Sequence, residues 1–362
     1  MRSFFGFSVI AIFAVYGCAG CDNSQPIVDA KQPPVAQPAP VPILVPAPPA
    51  ETVAPPEATA APSATTAAPS ETTAAPSETS AAPVDAATAS VAKEIEPLAP
   101  WTYERYTELV DKSGRKMAIS KESFDAIQAR KEKALARIEK YLAAHFGSAD
   151  PEVLRAFREI PREYFHYNYE GKTGITGSAY ESEPKPWGIG YGSALSDYLG
   201  QAYMTQLAAP KKGDVVLEIG TGSGFQSSLL SRIVSEAYSI EIIEPLGKGV
   251  AKALQAIGYD RVHTKVGDGY FGWPEVEGGF DIIMVTCAAR YVPPALLEQL
   301  KPGGRLIIPV GPPIRGKQVL YVYTKTEDGK VQSRRDIGVY FIPMTGAMEK
   351  EKAPVNAAAK GS

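Results

Sequence analysis

Three short segments of this chain carry residues that could hold a nucleotide-like ligand. The first is Glu218-Ile219-Gly220-Thr221-Gly222-Ser223-Gly224, which runs out of the apolar stretch Val215-Val216-Leu217. Glycines there let the backbone turn tightly and come close to a ligand, and the start of a following helix offers unpaired N–H groups. The spacing is G-x-G-x-G, not the G-x-G-x-x-G of dinucleotide sites. Glu218, two residues before Gly220, favours a cationic ligand over one bearing a pyrophosphate. The second segment supplies Glu241, 21 residues after Gly220. A carboxylate at the end of a second strand can accept from both hydroxyls of a ribose. The third is Gly267-Asp268-Gly269, where Asp268 can accept from the amino group of an adenine. Each segment also has a plainer reading: a strand-to-helix turn, a solvated strand end, an Asx-turn. In order, at successive strand ends, they predict one site built from Glu218, Gly220, Thr221, Gly222, Gly224, Glu241, Asp268 and Gly269.

The elements that must position these residues are legible as a pattern. Phe124, Ile127, Leu135, Ile138, Leu142 and Phe146 recur at helical spacing, which predicts one long helix over Lys121–Phe146. Asp150-Pro151 then offers an N-cap and a first-turn proline for a second helix through Ile160, stopped by Pro161. An irregular Tyr- and Gly-rich segment, Tyr164–Gly200, follows. Strands are expected at Val215–Ile219, Ala237–Ile243, His263–Val266, Phe280–Val285 and Arg305–Val310, alternating with helices at Ser223–Ser235, Leu246–Ile257 and Pro293–Leu300. Val319–Lys325 and Val339–Pro343 are expected as a C-terminal antiparallel strand pair. Strand–helix alternation means an α/β fold: a Rossmann-like parallel sheet covered on both faces, here preceded by a helical element. Ligands bind such sheets at the carboxyl ends of the strands.

Composition bounds the rest. The first 97 residues hold half of the 32 prolines, and no aromatic residue lies between Tyr16 and Trp101. Such a stretch cannot bury a core. Residues 98–362 carry 34 Lys+Arg against 31 Asp+Glu (37 less 3, and 40 less 9). A folded part so near neutrality argues against nucleic acid as the partner. Cys18, Cys21 and Cys287 cannot form a disulfide framework, and three scattered histidines argue against a metal site. Residues 1–21 read as an export signal: Arg2, a 13-residue apolar run Phe4–Tyr16, then Gly17-Cys18-Ala19-Gly20-Cys21. That ending resembles a bacterial lipoprotein box, in which a cysteine becomes the lipidated N-terminus. Cys21 fits best, with Cys18 as the alternative. Prolines at 62, 69, 76 and 83 repeat every seven residues and forbid a coiled coil, so residues 22–97 are expected to be a disordered spacer. A folded domain over 98–346 and a disordered tail over 347–362 complete the division.

The glycine loop with its preceding acid resembles that of S-adenosylmethionine (SAM) enzymes. A closer resemblance is to the protein-L-isoaspartate (D-aspartate) O-methyltransferase family. It is carried by Val216-Leu217-Glu218-Ile219-Gly220-Thr221-Gly222-Ser223-Gly224-Phe225-Gln226, by Gly267-Asp268-Gly269-Tyr270-Phe271-Gly272-Trp273-Pro274 and by Ile160-Pro161-Arg162-Glu163-Tyr164-Phe165. The resemblance covers residues 121–346. It implies SAM as cofactor, a SAM-dependent carboxyl methyltransferase activity, and damaged proteins or peptides with L-isoaspartyl or D-aspartyl residues as substrates. Ser196 falls on the family's catalytic serine, while Leu195, Val339 and Phe341 fall on positions that line the substrate entrance. The family's Ile-Gly-x-Gly-Gln-Thr-Ile-Ser-x-Pro segment reads Ile189-Gly190-Tyr191-Gly192-Ser193-Ala194-Leu195-Ser196-Asp197-Tyr198 here, with Ser193, Ala194 and Tyr198 departing from it. Arg290 stands where the family usually has proline.

A carboxylate is ionised at neutral pH, so its methylation needs alignment rather than a general base. Ser196 would orient the attacking oxygen; its plainer role is a turn or N-cap serine. The export signal and the altered segment keep two other readings open: a methyltransferase of another carboxylate or small molecule, and a non-catalytic envelope binder of damaged protein. A monomer on the periplasmic side of a bacterial membrane is expected, or a cytoplasmic protein if it follows the usual family member.

Overall fold

The computed structural model describes residue 95 and residues 98–350; Cys18, Cys21, the expected signal, the spacer and residues 351–362 lie outside the described residues. Helix α1 (Tyr103–Ser113) starts at Thr102, whose side chain accepts from the Arg105 N–H. Helix α2 spans Lys121–Phe146, as the periodicity predicts, and is N-capped by Ser120. Helix α3 (Pro151–Glu159) is capped by Asp150, which accepts from the Glu152 N–H, and Pro151 occupies its first turn. Pro161 ends it and opens a single buried turn, α4 (Arg162–Phe165).

The segment read as irregular contains two small antiparallel hairpins. These are β1 (Tyr167–Asn168) with β2 (Thr173–Gly174), and β3 (Trp187–Gly190) with β4 (Ser193–Leu195). Strands of two to four residues are too short to show an alternation. Helix α5 (Tyr198–Ala208) follows, capped by Asp197.

The α/β alternation then appears as predicted: β5 (Val215–Ile219), α6 (Phe225–Ser231), β6 (Glu236–Glu241), α7 (Glu244–Ile257), β7 (Val262–Val266), β8 (Phe280–Val285), α8 (Pro294–Glu298) and β9 (Leu300–Val310). Helix α6 is shorter than expected because Gly224 caps it at φ +83° and Arg232 closes it. Helix α8 stops before Leu300 because that residue already pairs with Phe280 in the sheet. The C-terminal pair is β10 (Gln318–Lys325) with β11 (Val331–Val339), so the second strand lies upstream of the expected Val339–Pro343. Residues 331–335 are exposed on the sheet edge and carry no apolar alternation, which hid the strand.

The sheet order is β11-β10-β9-β8-β5-β6-β7, with β9, β8, β5, β6 and β7 parallel and β10 and β11 antiparallel. Both faces are buried. Val216, Ile282 and Met284 point to the core shared with α1–α7, whereas Leu217, Ile219, Ile283 and Val285 point to a second core under α8. This alternation of faces is why the strands read as continuous apolar runs.

The chain does not become a tail at 347. A last turn of helix, α9 (Ala347–Lys350), buries Met348 in the second core, and the Met348 carbonyl accepts from Arg290 Nη2 at 2.8 Å. Met348→Ala should lower the unfolding free energy by ~2–3 kcal/mol, the scale for a buried methionine. Denaturant titration checks it; an unchanged midpoint would return residues 347–350 to the tail.

Candidate functional site

The chain leaves β5 toward β6 and β7, then returns to place β8 on the other side of β5. Between β5 and β8 the two connections diverge, which opens a crevice at the carboxyl edge. Thr286 lines its floor. Its N–H donates to the Ile219 carbonyl at 2.9 Å, and its hydroxyl to the Gly220 carbonyl at 2.8 Å. Gly220 sits at φ +100°, and a Cβ there would come 2.6 Å from Thr286 Oγ1. No larger residue fits that turn. The Gly220 and Thr221 N–H groups both donate to the Ile240 carbonyl, which pins the loop to β6.

Of the eight residues predicted for the ligand, seven line one cavity of about 450 Å³, inside the usual range for small-ligand sites. They are Glu218, Gly220, Thr221, Gly222, Glu241, Asp268 and Gly269. The exception is Gly224, which packs against α7: a Cβ on it would come 2.8 Å from Val250 Cγ1. Its part in this structure is to let helix and loop approach.

The acids are held more tightly than their sequence positions imply. Glu241 Oε2 accepts from the Gly222 N–H at 2.8 Å and Oε1 from the Ile243 N–H at 3.0 Å. Each oxygen keeps acceptor capacity for a further hydroxyl. The carboxylate therefore ties the glycine loop to the end of β6 as well as facing the cavity. Burial raises its pKa. Asp268 makes the Asx-turn of the plainer reading, with Oδ1 accepting from the Tyr270 N–H at 2.9 Å, and still lines the cavity. Its Oδ2 takes the Ala347 N–H at 2.7 Å, so it also anchors α9. Glu218 is 1% exposed, and its Oε2 lies 2.6 Å from Ser239 Oγ, which is 2.7 Å from Thr221 Oγ1. Burial pushes the Glu218 carboxyl up to about 8, against the hydrogen bonds from Ser239 and Ser227.

Hairpin β3–β4, beside the glycine loop, turns through Tyr191 at φ +54° and Gly192 at φ +73°. Two consecutive left-handed residues match the right-handed twist of a tight hairpin. The Tyr191 N–H is held by Glu170 Oε2 at 2.7 Å. Strand β4 delivers Leu195 and then Ser196 to the cavity. The cap of α5 is Asp197, whose Oδ1 accepts from the Gly200 N–H at 2.8 Å, so Ser196 is not the capping residue. Its hydroxyl makes no hydrogen bond among the described residues, whereas its carbonyl accepts from Arg162 Nη2 at 2.5 Å. Phe341 lines the cavity, but Val339 does not: it is the last residue of β11 and 1% exposed in the core. The Val339 reading is thus corrected, because β11 ends where the lining segment begins.

Residues 340–345 cross the carboxyl edge as a strap. The Ala288 N–H donates to the Ile342 carbonyl and the Met344 N–H to the Ala288 carbonyl, both at 2.8 Å. The strand expected over Val339–Pro343 overlaps this strap, but its crossing of the carboxyl edge rests on Ala288, far away in the chain. Thr286 and Cys287 were also missed, though they stand at the carboxyl end of an apolar strand, as Gly220 does, and could have been found by that rule. Burial keeps Cys287 a neutral thiol. Gln201 and Gln226, on α5 and α6, add to the polar lining.

Glu218 makes the ligand-free protein pH-sensitive. Its folded-state pKa lies above the ordinary 4.5, so its contribution to stability is fully present below about pH 4.5 and is lost as pH rises through about 8. The melting temperature should fall from pH 5 to 8. Glu218→Gln should flatten that slope without abolishing it, because Glu241 and Asp197 are also raised by burial. Parallel slopes for parent and variant would show that Glu218 is ionised in the folded chain.

The sequence pattern of the family described as Protein-L-isoaspartate(D-aspartate) O-methyltransferase (PCMT) matches residues 131–349. A "Protein-L-isoaspartate O-methyltransferase 1" of Nitrosospira multiformis is 51% identical over 168 residues, which is 46% of this chain and 70% of that protein. A protein of the same name from Cupriavidus necator is 42% identical over 214 residues, 59% of this chain and 79% of its own. Among solved structures, a protein-L-isoaspartate O-methyltransferase aligns with a TM-score of 0.52 at 27% identity, over 60% of this chain and 67% of that one. The matched span runs from within α2 to α9 and includes every strand of the large sheet and both walls of the cavity. This chain belongs to the protein-L-isoaspartate (D-aspartate) O-methyltransferase family.

Proposed function

We propose that the protein transfers a methyl group from SAM to the side-chain carboxylate of L-isoaspartyl (or D-aspartyl) residues in damaged proteins and so starts their repair. The observation that carries this reading is one cavity whose lining joins the glycine loop, Glu241 and Asp268 to Ser196, whose hydroxyl is unengaged among the described residues. The residues fit the cofactor. Glu241 keeps acceptor capacity for ribose hydroxyls, Ile240 and Ile242 offer apolar surface for a base, and Glu218, a carboxyl that burial keeps protonated up to about pH 8, would be drawn to its ionised form by a cationic group. SAM supplies an electrophilic methyl on a sulfonium, which departs as a neutral thioether.

The protein's own work is alignment. The substrate carboxylate is already ionised, so no side chain has to remove a proton. Holding attacking oxygen, methyl carbon and sulfur in line can contribute ~7–11 kcal/mol in favourable systems. Ser196 donates to the carboxylate and orients it. Leu195 and Phe341 offer apolar lining for the peptide. The apolar side chain of Ala194 supplies no donor where the family usually has threonine, which favours a shifted substrate range as the second reading. Ser196→Ala should lower kcat and kcat/KM together by ~10²–10³, with SAM affinity unchanged. The assay is base-labile methylation of an isoaspartyl peptide beside its aspartyl twin. Equal labelling of the twins, or none, would overturn the isoaspartyl assignment and favour another carboxylate or a binding role.

The proposal extends to place. A lipid on Cys21, or on Cys18, would hold a monomer at a bacterial membrane on the periplasmic side. The spacer over 22–97 would then let the domain reach up to roughly 230 Å at ~3.1 Å per residue. The 13-residue apolar run and its Ala-Gly-Cys ending support this reading. Cys21→Ser should release the protein from the membrane fraction or leave its precursor uncut. A processed, membrane-bound variant would move the anchor to Cys18, and a parent found only in the cytoplasm would remove the tether altogether.

A further inference from the structure

Arg162 is among the largest fully buried side chains of the protein, at 1% exposure, and its guanidinium forms no ion pair among the described residues. Its hydrogen bonds go to neutral oxygens instead. Nε donates to the Ala179 carbonyl at 3.1 Å, Nη1 to Gln201 Oε1, and Nη2 to the Ser196 carbonyl at 2.5 Å. The ring of Phe225, the first residue of the helix behind the glycine loop, lies 5.0 Å from the guanidinium carbon, and that of Tyr198 lies 5.9 Å away. Asp197 acts on it only at longer range. A buried charge with no acid in direct contact is costly, and an apolar residue of similar size often serves stability as well or better. What an apolar residue cannot do is hold three acceptors from three chain segments in one plane. Two of those acceptors, on Ser196 and Gln201, belong to residues that line the cavity. Arg162 is itself fixed from behind. Its N–H donates to Tyr180 Oη at 3.0 Å, and the Tyr180 hydroxyl donates to Glu163 Oε2 at 2.9 Å.

We infer that Arg162 is a positioning residue for methyl transfer: it clamps the Ser196 carbonyl against α5 and thereby sets the direction of the Ser196 hydroxyl. The inference rests on the proposed role of Ser196. It assigns a task to the Ile160-Pro161-Arg162-Glu163 segment, which lies outside the cavity lining. An error of about 1 Å in a positioned group can cost ~10²-fold in rate.

A double-mutant cycle tests it, with Arg162→Met, Ser196→Ala and the pair, on the full chain with an isoaspartyl peptide. Arg162→Met should lower kcat by ~10–100-fold while the peptide KM and the calorimetric SAM affinity stay within about 3-fold. In the Ser196→Ala background the same change should move kcat by less than about 3-fold, because the group it positions is gone. Arg162→Lys keeps the charge but not the planar fork and should not restore turnover. Equal losses in both backgrounds, full rescue by lysine, or loss of SAM binding in both the Met and Lys variants would overturn the inference and leave Arg162 a core residue. A parent that labels no isoaspartyl peptide would remove the reading of Ser196 and this inference with it. A parent that turns over with an additive cycle removes the inference alone.

Discussion

Thr286 and Gly220 meet where β5 and β8 part, and every other feature of the site is arranged around that contact. The hydroxyl and the amide of one threonine satisfy the carbonyls of Gly220 and Ile219, which would otherwise be left at a buried strand end. With the β5 end fixed, the following loop can leave at φ +100° and turn its backbone toward the crevice. Glu241 then ties that loop to the next strand through the Gly222 N–H. The residues that would hold the cofactor are therefore the same ones that close the backbone hydrogen-bonding of the carboxyl edge. Substituting them disturbs both together.

The site is assembled at a cost to the folded state. Glu218 and Glu241 are buried carboxyls with raised pKa values, and Arg162 is a buried cation without a paired acid. None of these is the choice that stability alone would make. A cationic ligand placed over Glu218 would recover part of the lost electrostatic energy, so binding and folding stability are coupled through the same groups. The strap over 340–345 and α9 add a second coupling. Asp268 serves the cavity with one side of its carboxylate and the Ala347 amide with the other. Met348 in the second core and Arg290 on its carbonyl hold the end of that strap, so the burial of one C-terminal methionine supports the wall that carries Phe341.

The parallel sheet, its helices and the cofactor wall were legible in the sequence because they are local. An apolar run of five residues, a glycine turn and an acid at the next strand end are each written in consecutive positions, and hydrophobic burial on two faces leaves no other arrangement for them. Helix α2 was readable to its ends for the same reason, its apolar stripe being contiguous. Residues whose roles depend on distant partners were not readable. The β11 edge strand has no alternation because its residues 331–335 are exposed on both faces, and Gly224 looked like a ligand contact until α7 packed against it. Val339 and Phe341, two residues apart, were separated only by where β11 ends. Arg162 lies 34 residues from Ser196 in the chain, and nothing in either neighbourhood predicts that one would hold the carbonyl of the other. By itself the sequence determined the α/β architecture and the chemistry of the cofactor wall. The resemblance named Ser196, Leu195 and Phe341, but tertiary structure alone decided how they are held, because Arg162, the strap over 340–345 and α9 reach them from segments far apart in the chain.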